Sequence, residues 1–422
     1  MSEFIPKSPP ETAAPPLPRP SPYRWELLVL LWLAFFLNQA DRQIFSVVLP
    51  LIRQDLGLSD ADLGLIASAL VWTYGLLVPV AGFIGDRFSR RNVVGFALLF
   101  WSVATLSTGL CSTLLQFILL RGVATGGGEA FYAPSANALL GETYPEKRSF
   151  VLSLHQTAVY AGIILSGLIA GYVGEHYGWQ NAFFLFGGFG IVLAAVLFRR
   201  IQGDVPAMSL STNRFDITCT ARLVFRKPTV LLLTLGFACM VFVNVGYLTW
   251  MPLFLVEKFG LSVTEAGFSS LAYHHVGAFL GVLWGGRLAD RRAAASPRIR
   301  PLIQAAGLLL GAPFIYGMSL APTEALTYAA LFGFGVFRGW YDSNIVASLY
   351  EVVPRPVRSS AYGLMLMCAF LVGATSPYLL GVLKPSLGLS AGLASLTISY
   401  LLGGAAIALG AFVYFHQDRE TA

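Results

Sequence analysis

Six charged residues stand inside apolar runs, where a charge has to be explained. Asp41 and Arg42 are adjacent in one run, Arg121 and Glu129 share a second, and Arg338 and Asp342 a third. A charge at the centre of a bilayer costs about 2.5–3.5 kcal/mol on insertion scales, and intramembrane carboxylates commonly mark proton or ion paths. Burial favours the neutral carboxyl, while a neighbouring guanidinium favours the ionised one, and such opposition suits a group that must titrate. At about 1.5 Å of rise per residue, Asp41 and Arg42 lie ~15 Å from the outer end of their run, Arg121 ~10 Å and Glu129 ~20 Å. The Asp41–Arg42 pair is thus bracketed in depth by Arg121 and Glu129. A four-member network is expected, with Asp41 as the first proton site and Glu129 as the second. Its structural alternative is a set of static salt bridges that fix helix register. Arg338 has two readings: an i, i+4 partner of Asp342, or a group acting across the interface of two internal repeats.

The elements that must hold these charges follow from composition. Of 422 residues, 56% are hydrophobic and 12% charged, and the mean hydropathy is +0.67. A soluble chain is roughly a quarter charged, so an ordinary water-soluble enzyme is excluded. The apolar residues fall into twelve blocks, near 25–51, 61–84, 92–112, 114–141, 149–173, 179–200, 228–255, 265–287, 299–320, 324–351, 359–382 and 389–415. Each is long enough to cross a membrane. The expected fold is all-α: twelve transmembrane helices in two six-helix bundles, residues 25–200 and 228–416. A proline-rich tail (1–24), a polar linker (201–227) and a short tail (417–422) complete the chain.

Of 28 Lys and Arg, 22 fall on the side of the termini and linker, three (Arg53, Lys258, Lys384) on the other side, and three inside blocks. The positive-inside rule makes the termini cytosolic and the protein a multi-pass protein of the cell (inner) membrane. The net charge of +6 is then a topology signal, and no nucleic-acid partner is expected. Tyr132/Tyr341 and Glu142/Glu351 recur at one offset, which sets Arg338 opposite Glu129. Gly82–Arg87 and Gly286–Arg291 likewise end corresponding blocks. Such recurrence is the mark of the parallel repeats of a secondary transporter.

The stretch Gly82–Asn92 carries Gly82, Asp86, Arg87, Arg90 and Arg91 as a G-x-x-x-D-R-x-x-R-R pattern, and it resembles the loop signature of the major facilitator superfamily. Within that superfamily the chain resembles the spinster group. The residues that carry this are Asn38–Arg42 with Val48-Leu49-Pro50, Gly128–Tyr132, and Pro145 with Arg148-Ser149. The resemblance implies a proton-linked carrier of lysolipids or sphingoid lipids; organic-anion/proton symporters of the superfamily share the Asp-Arg pair. Arg121 and Glu129 are eight residues apart where the family pattern has seven. A local bulge at Gly126-Gly127-Gly128 is expected to absorb the extra residue.

Arg42, Arg121, Asp41 and Glu129 are accordingly expected to couple protons, and Arg42, Glu129, Tyr132, Tyr160, Trp250, Arg338 and Tyr341 to line a substrate cavity. Asp86, Arg87, Arg90, Arg91, Glu142, Arg148, Asp290, Arg291, Glu351 and Arg358 are expected to form a gate at the cytosolic face. Asp86 and Asp290 are expected near helix N-termini of the opposite bundle, where free N–H groups favour a carboxylate.

His155, His274 and His275 read more simply as interhelical contacts than as proton shuttles. No phosphate-binding G-x-x-x-x-G-K-[ST] run is present, which argues against direct ATP drive. The G-x-S-x-G letters at 388–392 lack the strand-turn-helix context of a hydrolase. Neither catalysis nor a metal or other cofactor is expected. The partners are an amphipathic lipid or small molecule and protons, and the chain is expected to act as a monomer. A non-transporting sensor and an intramembrane hydrolase are the readings from other classes, disfavoured by the paired gate motifs and by the lack of a catalytic dyad.

Overall fold

The structure is a computed structural model that describes residues 21–201, 226–293, 296, 298–354 and 357–420. The expected tail 1–24 and linker 201–227 therefore lie almost wholly outside the described residues. Regular structure among the described residues is helical throughout. Six stretches are long and apolar enough to cross a membrane on length and composition: 60–82, 150–177, 179–200, 228–259, 299–320 and 360–419. Helix is the economical solution there, because it satisfies every backbone N–H and C=O within its own segment.

In chain order the elements are α1 (Ser21–Leu56), α2 (Asp60–Arg87), α3 (Arg90–Thr108), α4 (Leu114–Phe117), α5 (Gly126–Ala130) and α6 (Tyr132–Thr143). Then come α7 (Arg148–Tyr177), α8 (Trp179–Arg200), α9 (Pro228–Phe259), α10 (Val263–Ala293) and α11 (Ile299–Leu320). Last are α12 (Glu324–Asp342), α13 (Ile345–Val352), α14 (Arg358–Gly373), α15 (Thr375–Leu409) and α16 (Phe415–Glu420). Between α4 and α5 the chain stays helical but widens to π geometry over Ile118–Thr125.

The boundaries have local causes. Ser59 accepts from the Asp62 amide and Asp62 returns a bond to the Ser59 amide, a reciprocal cap that starts α2. Thr113 and Gln116 do the same for α4. Gly388 has φ +72° inside α15 and turns the chain between two helical stretches. The expected 417–422 tail is not a tail over its described part. Residues 417–420 continue helix α16, and the Asp418 carboxylate accepts from the Thr229 amide at 2.8 Å, capping the start of α9. Lys227 ties the same corner, donating to the Val352 and Asp418 carbonyls at 2.8 and 2.7 Å. Burial pushes its ammonium pKa below the ordinary lysine value, with Asp418 opposing.

One face of the molecule, the terminal face, carries Arg24, Glu146, Arg200, Lys227 and Asp418; the other carries Arg53, Asp60, Glu257 and Lys384. Within residues 21–200, α1 lies along α7 and α3 along α8; within 226–420, α9 and α11 lie along α15, and α10 along α12. The two halves meet where α7 packs on α10, α2 on α14 and α15, and α1 on α9.

Small residues allow that approach. A methyl group at Gly167 of α7 would come within 2.5 Å of the Gly267 carbonyl oxygen of α10. Gly167→Leu should therefore force α7 and α10 apart. Pulsed EPR between spin labels on the two helices should show a longer mean distance; an unchanged distribution would mean that the contact is not tight.

Candidate functional site

A cavity of about 520 Å³ lies between the halves. Gln39, Arg42 and Gln43 of α1, Tyr74 of α2, and Gln156 and Tyr160 of α7 face it from one half. Asn244 of α9, His275 of α10, Arg338 and Asp342 of α12, and Phe370 of α14 face it from the other. Phe45, Leu70, Val71, Ile163 and Leu248 make the wall apolar between these groups. A cavity lined in this way offers both an apolar body and a few oriented polar contacts to a ligand.

The intramembrane charges form two pairs and not one ring. Arg42 donates from Nε to Glu129 Oε2 at 2.7 Å, and its guanidinium lies 4.0 Å from the Tyr74 ring centroid. Arg121 Nη1 is 3.3 Å from Asp41 Oδ1, and Thr105 donates to Asp41 Oδ2 at 2.5 Å. The pairs are joined through the backbone: Arg121 Nη2 donates to the Asp41 and Arg42 carbonyls at 2.8 and 3.0 Å. Consecutive residues of a helix project about 100° apart, so Asp41 turns toward α3 while Arg42 turns to the cavity. Glu129, expected on the cavity wall, is instead fully buried behind Arg42, which takes its place at the wall.

The π segment explains how Arg121 and Glu129 come to one face from an eight-residue spacing. Each π turn takes in one residue more than an α turn, and the extra residue is absorbed at Ile118–Thr125. The bulge therefore precedes the three glycines at which it was expected.

Arg338 makes the local pair: its Nε lies 3.0 Å from both Asp342 oxygens, and Nη1 donates to Asn244 Oδ1 at 2.5 Å. Its side chain faces the same cavity as Arg42 from the opposite half.

Of Tyr132, Tyr160, Trp250 and Tyr341, Tyr160 alone stands on the cavity wall. Tyr132, Trp250 and Tyr341 are buried in helix packing. The Tyr132 hydroxyl bonds the Leu31 carbonyl and lies 3.1 Å from His155, and Trp250 donates to the Pro377 carbonyl at 3.0 Å. An aromatic residue in a long apolar run carries no mark of which side faces a cavity.

At the terminal face, Arg90 pairs with Glu142, Arg91 donates to the Phe198 carbonyl, and Glu146 takes Arg24. The Asp86 side chain lies outside the described residues. Asp290, expected at a helix start of the opposite half, instead pairs with Arg300 of its own half at 3.7 Å, and Arg300 also holds Glu351. Arg358 donates to the Tyr350 and Val353 carbonyls. Arg148 packs against Gly141, and Arg291 is exposed. These pairs each stay within one half. Methyl groups at Gly82 of α2 or Gly363 of α14 would meet nothing within 4 Å, so packing between the halves thins toward this face.

The opposite face is closed by groups that sequence reasoning missed. Lys384 lies 3.0 Å from Asp60 and 2.7 Å from Glu257, while Arg53 reaches Asp60 at 3.2 Å and Glu257 at 2.7 Å. The four residues come from both halves and form a closed ring of alternating charge. Charges at the ends of membrane helices are ordinary, so nothing in the sequence singled these out.

The family profile of the Major Facilitator Superfamily matches residues 31–377. Protein spinster homolog 1 of Homo sapiens is 30% identical over 447 residues, covering 95% of this chain and 83% of its own. Probable anion transporter 4, chloroplastic, of Oryza sativa subsp. japonica is 28% identical over 353 residues, 79% of this chain and 59% of its own. In fold, the crystal structure of a bacterial homolog to the human lysosomal transporter Spinster, inward-facing and unoccupied, superposes with a TM-score of 0.78. It covers 95% of this chain and 98% of its own at 22% identity. With that coverage and the cavity flanked by paired intramembrane charges, the chain belongs to the Major Facilitator Superfamily of transporters and, within it, to the spinster relatives.

Proposed function

We propose that this transporter is a proton-coupled secondary carrier that works by alternating access and moves an amphipathic lipid of the lysolipid or sphingoid type. In this reading the chain makes twelve crossings of the cell (inner) membrane in two six-helix bundles, with the terminal face cytosolic. It acts as a monomer, without catalysis or a cofactor. The observation that carries the proton part is Glu129. Its carboxylate is buried, one oxygen is held by Arg42, and the other, Oε1, has no hydrogen-bond partner among the described residues. A buried, unsatisfied carboxylate oxygen is costly, and a proton relieves that cost. Protonation also releases Arg42, which already stands at the cavity wall and adjoins Asp41 in the chain. The charge change at Glu129 thereby becomes a change in which partner Arg42 holds.

The lipid part rests on similarity to spinster homolog 1 and on the apolar stretches between the polar groups of the cavity. An organic-anion/proton symporter is the second reading. It is favoured by Arg42 and Arg338 facing one cavity from opposite halves, and by the similarity to the chloroplastic anion transporter.

Uptake by proteoliposomes under an imposed pH gradient tests both parts, with lysolipids set against small organic anions. Lysolipid uptake should rise with the gradient, and Asp41→Asn and Glu129→Gln should each lower the driven component at least tenfold while the protein stays monodisperse. Uptake indifferent to the gradient would refute proton coupling. Accumulation of anions alone would replace the lipid assignment.

A further inference from the structure

A second concavity lies apart from the central cavity, on the outside of the helices. It holds about 1010 Å³ and runs between α2, α3 and the π segment with α5. Its walls are Leu77 and Ile84 of α2, Phe96, Phe100 and Val103 of α3, and Val123 and Phe131. Phe96 is 62% exposed, Phe100 54% and Val123 48%, so the groove opens outward, where a membrane transporter meets acyl chains. Its floor is made of residues with little or no side chain, Ala124, Gly127 and Gly128. From Asn92 to Val103 the groove follows α3 for about 17 Å, slightly longer than one leaflet of a ~30 Å hydrocarbon core.

Polar groups occur at one end only, the terminal face. There the groove ends at Phe88, Ser89 and Asn92, and Arg87, next to Phe88 in the chain, is exposed. The Glu142 carboxylate at this face is engaged by Arg90. The groove is thus apolar along its length and closes on a cationic, hydrogen-bonding lip.

We propose that this groove is a binding site for an anionic phospholipid, one acyl chain lying over Gly127 and Gly128 and the phosphate resting at Arg87 and Asn92. With the terminal face cytosolic, as proposed above, the lipid comes from the leaflet in which basic residues meet anionic headgroups. The segment that forms the floor also carries Arg121 and Glu129, so the lipid backs the same turn of chain that holds the intramembrane pairs.

The test uses the full-length protein in phosphatidylcholine nanodiscs doped with a diazirine-acyl lipid, either phosphatidylglycerol or phosphatidylcholine, followed by peptide mapping. Phosphatidylglycerol should label residues 88–103 and 123–131 about fivefold more than phosphatidylcholine, the ratio that ~1 kcal/mol per surface arginine supplies. Arg87→Gln should bring the two lipids to parity in the groove, and Ala124→Trp should fill the floor and remove both labels. Equal groove labelling by the two lipids in the wild type, a preference that survives Arg87→Gln, or label spread evenly over the apolar surface would each overturn the proposal. Should Ala124→Trp fail to fold, the surface change Arg87→Gln still decides it. Transport is not read in this experiment, so its failure is separate from failure of the transport reading.

Discussion

Replacing Arg42 with alanine should abolish the pH response of the conformational equilibrium and cut gradient-driven transport at least tenfold. Arg42 is the one member of the intramembrane pairs that both holds Glu129 and faces the cavity. Its removal leaves Glu129 and Asp41 buried, with Arg121 as the remaining cation nearby. With Arg42 gone, protonation of Glu129 has no guanidinium to release at the cavity wall. A protonation that changes no contact at the cavity cannot bias two conformations differently, and only a differential effect shifts an equilibrium.

Arg42→Lys separates charge from shape. A lysine keeps the charge but loses the planar group that stacks on Tyr74, so intermediate coupling is expected. The measurement is the distance distribution between labels on the two halves at acid and neutral pH, in wild type, Arg42→Ala and Glu129→Gln. A static register bridge predicts lower thermal stability with the pH response intact. That outcome in both variants would end the switch interpretation.

The second large effect is expected at the opposite face. Lys384 is 8% exposed and bridges Asp60 and Glu257, one from each half. Lys384→Glu would set three carboxylates around a single Arg53. Losing one partner of a buried pair costs 3–5 kcal/mol. Arg53 and Glu257 are 39% and 36% exposed, so solvent screens part of this, and about 2 kcal/mol is expected. That is ~30-fold in the equilibrium between this closed face and its separated form.

A cysteine at Thr249, which lines the cavity, should then react much faster with an impermeant maleimide applied from that face. The swap Lys384→Glu with Asp60→Lys, which reverses the pair between the halves and leaves Arg53–Glu257 in place, should restore slow labelling. If Lys384→Glu left the labelling rate unchanged, the ring would not be holding the halves together.

Composition and run length alone make the chain helical and place it in a membrane, because neither depends on neighbouring elements. The sequence also selects the intramembrane charges. Charge in hydrocarbon is so costly that Asp41, Arg42, Arg121, Glu129, Arg338 and Asp342 stand out in any reading. The local Arg338–Asp342 pair was legible as well, since i and i+4 meet on any helix. Pairing across helices was not. That Arg42 holds Glu129 while Asp41 turns to Arg121 and Thr105 follows from how the helices pack, because those partners come from different helices.

The direction of Arg121 depended on where the extra residue was absorbed, and a π turn leaves no compositional signal. Tyr132, Trp250 and Tyr341 were misplaced on the cavity wall for a related reason: hydrophobicity does not distinguish a helix face against protein from one against a cavity. The Arg53–Asp60–Glu257–Lys384 ring was invisible in the chain, since charges at helix ends are already explained by water and headgroups. Only the packing of the two halves, which brings residues more than 300 positions apart to within 3.0 Å, gives them a common role.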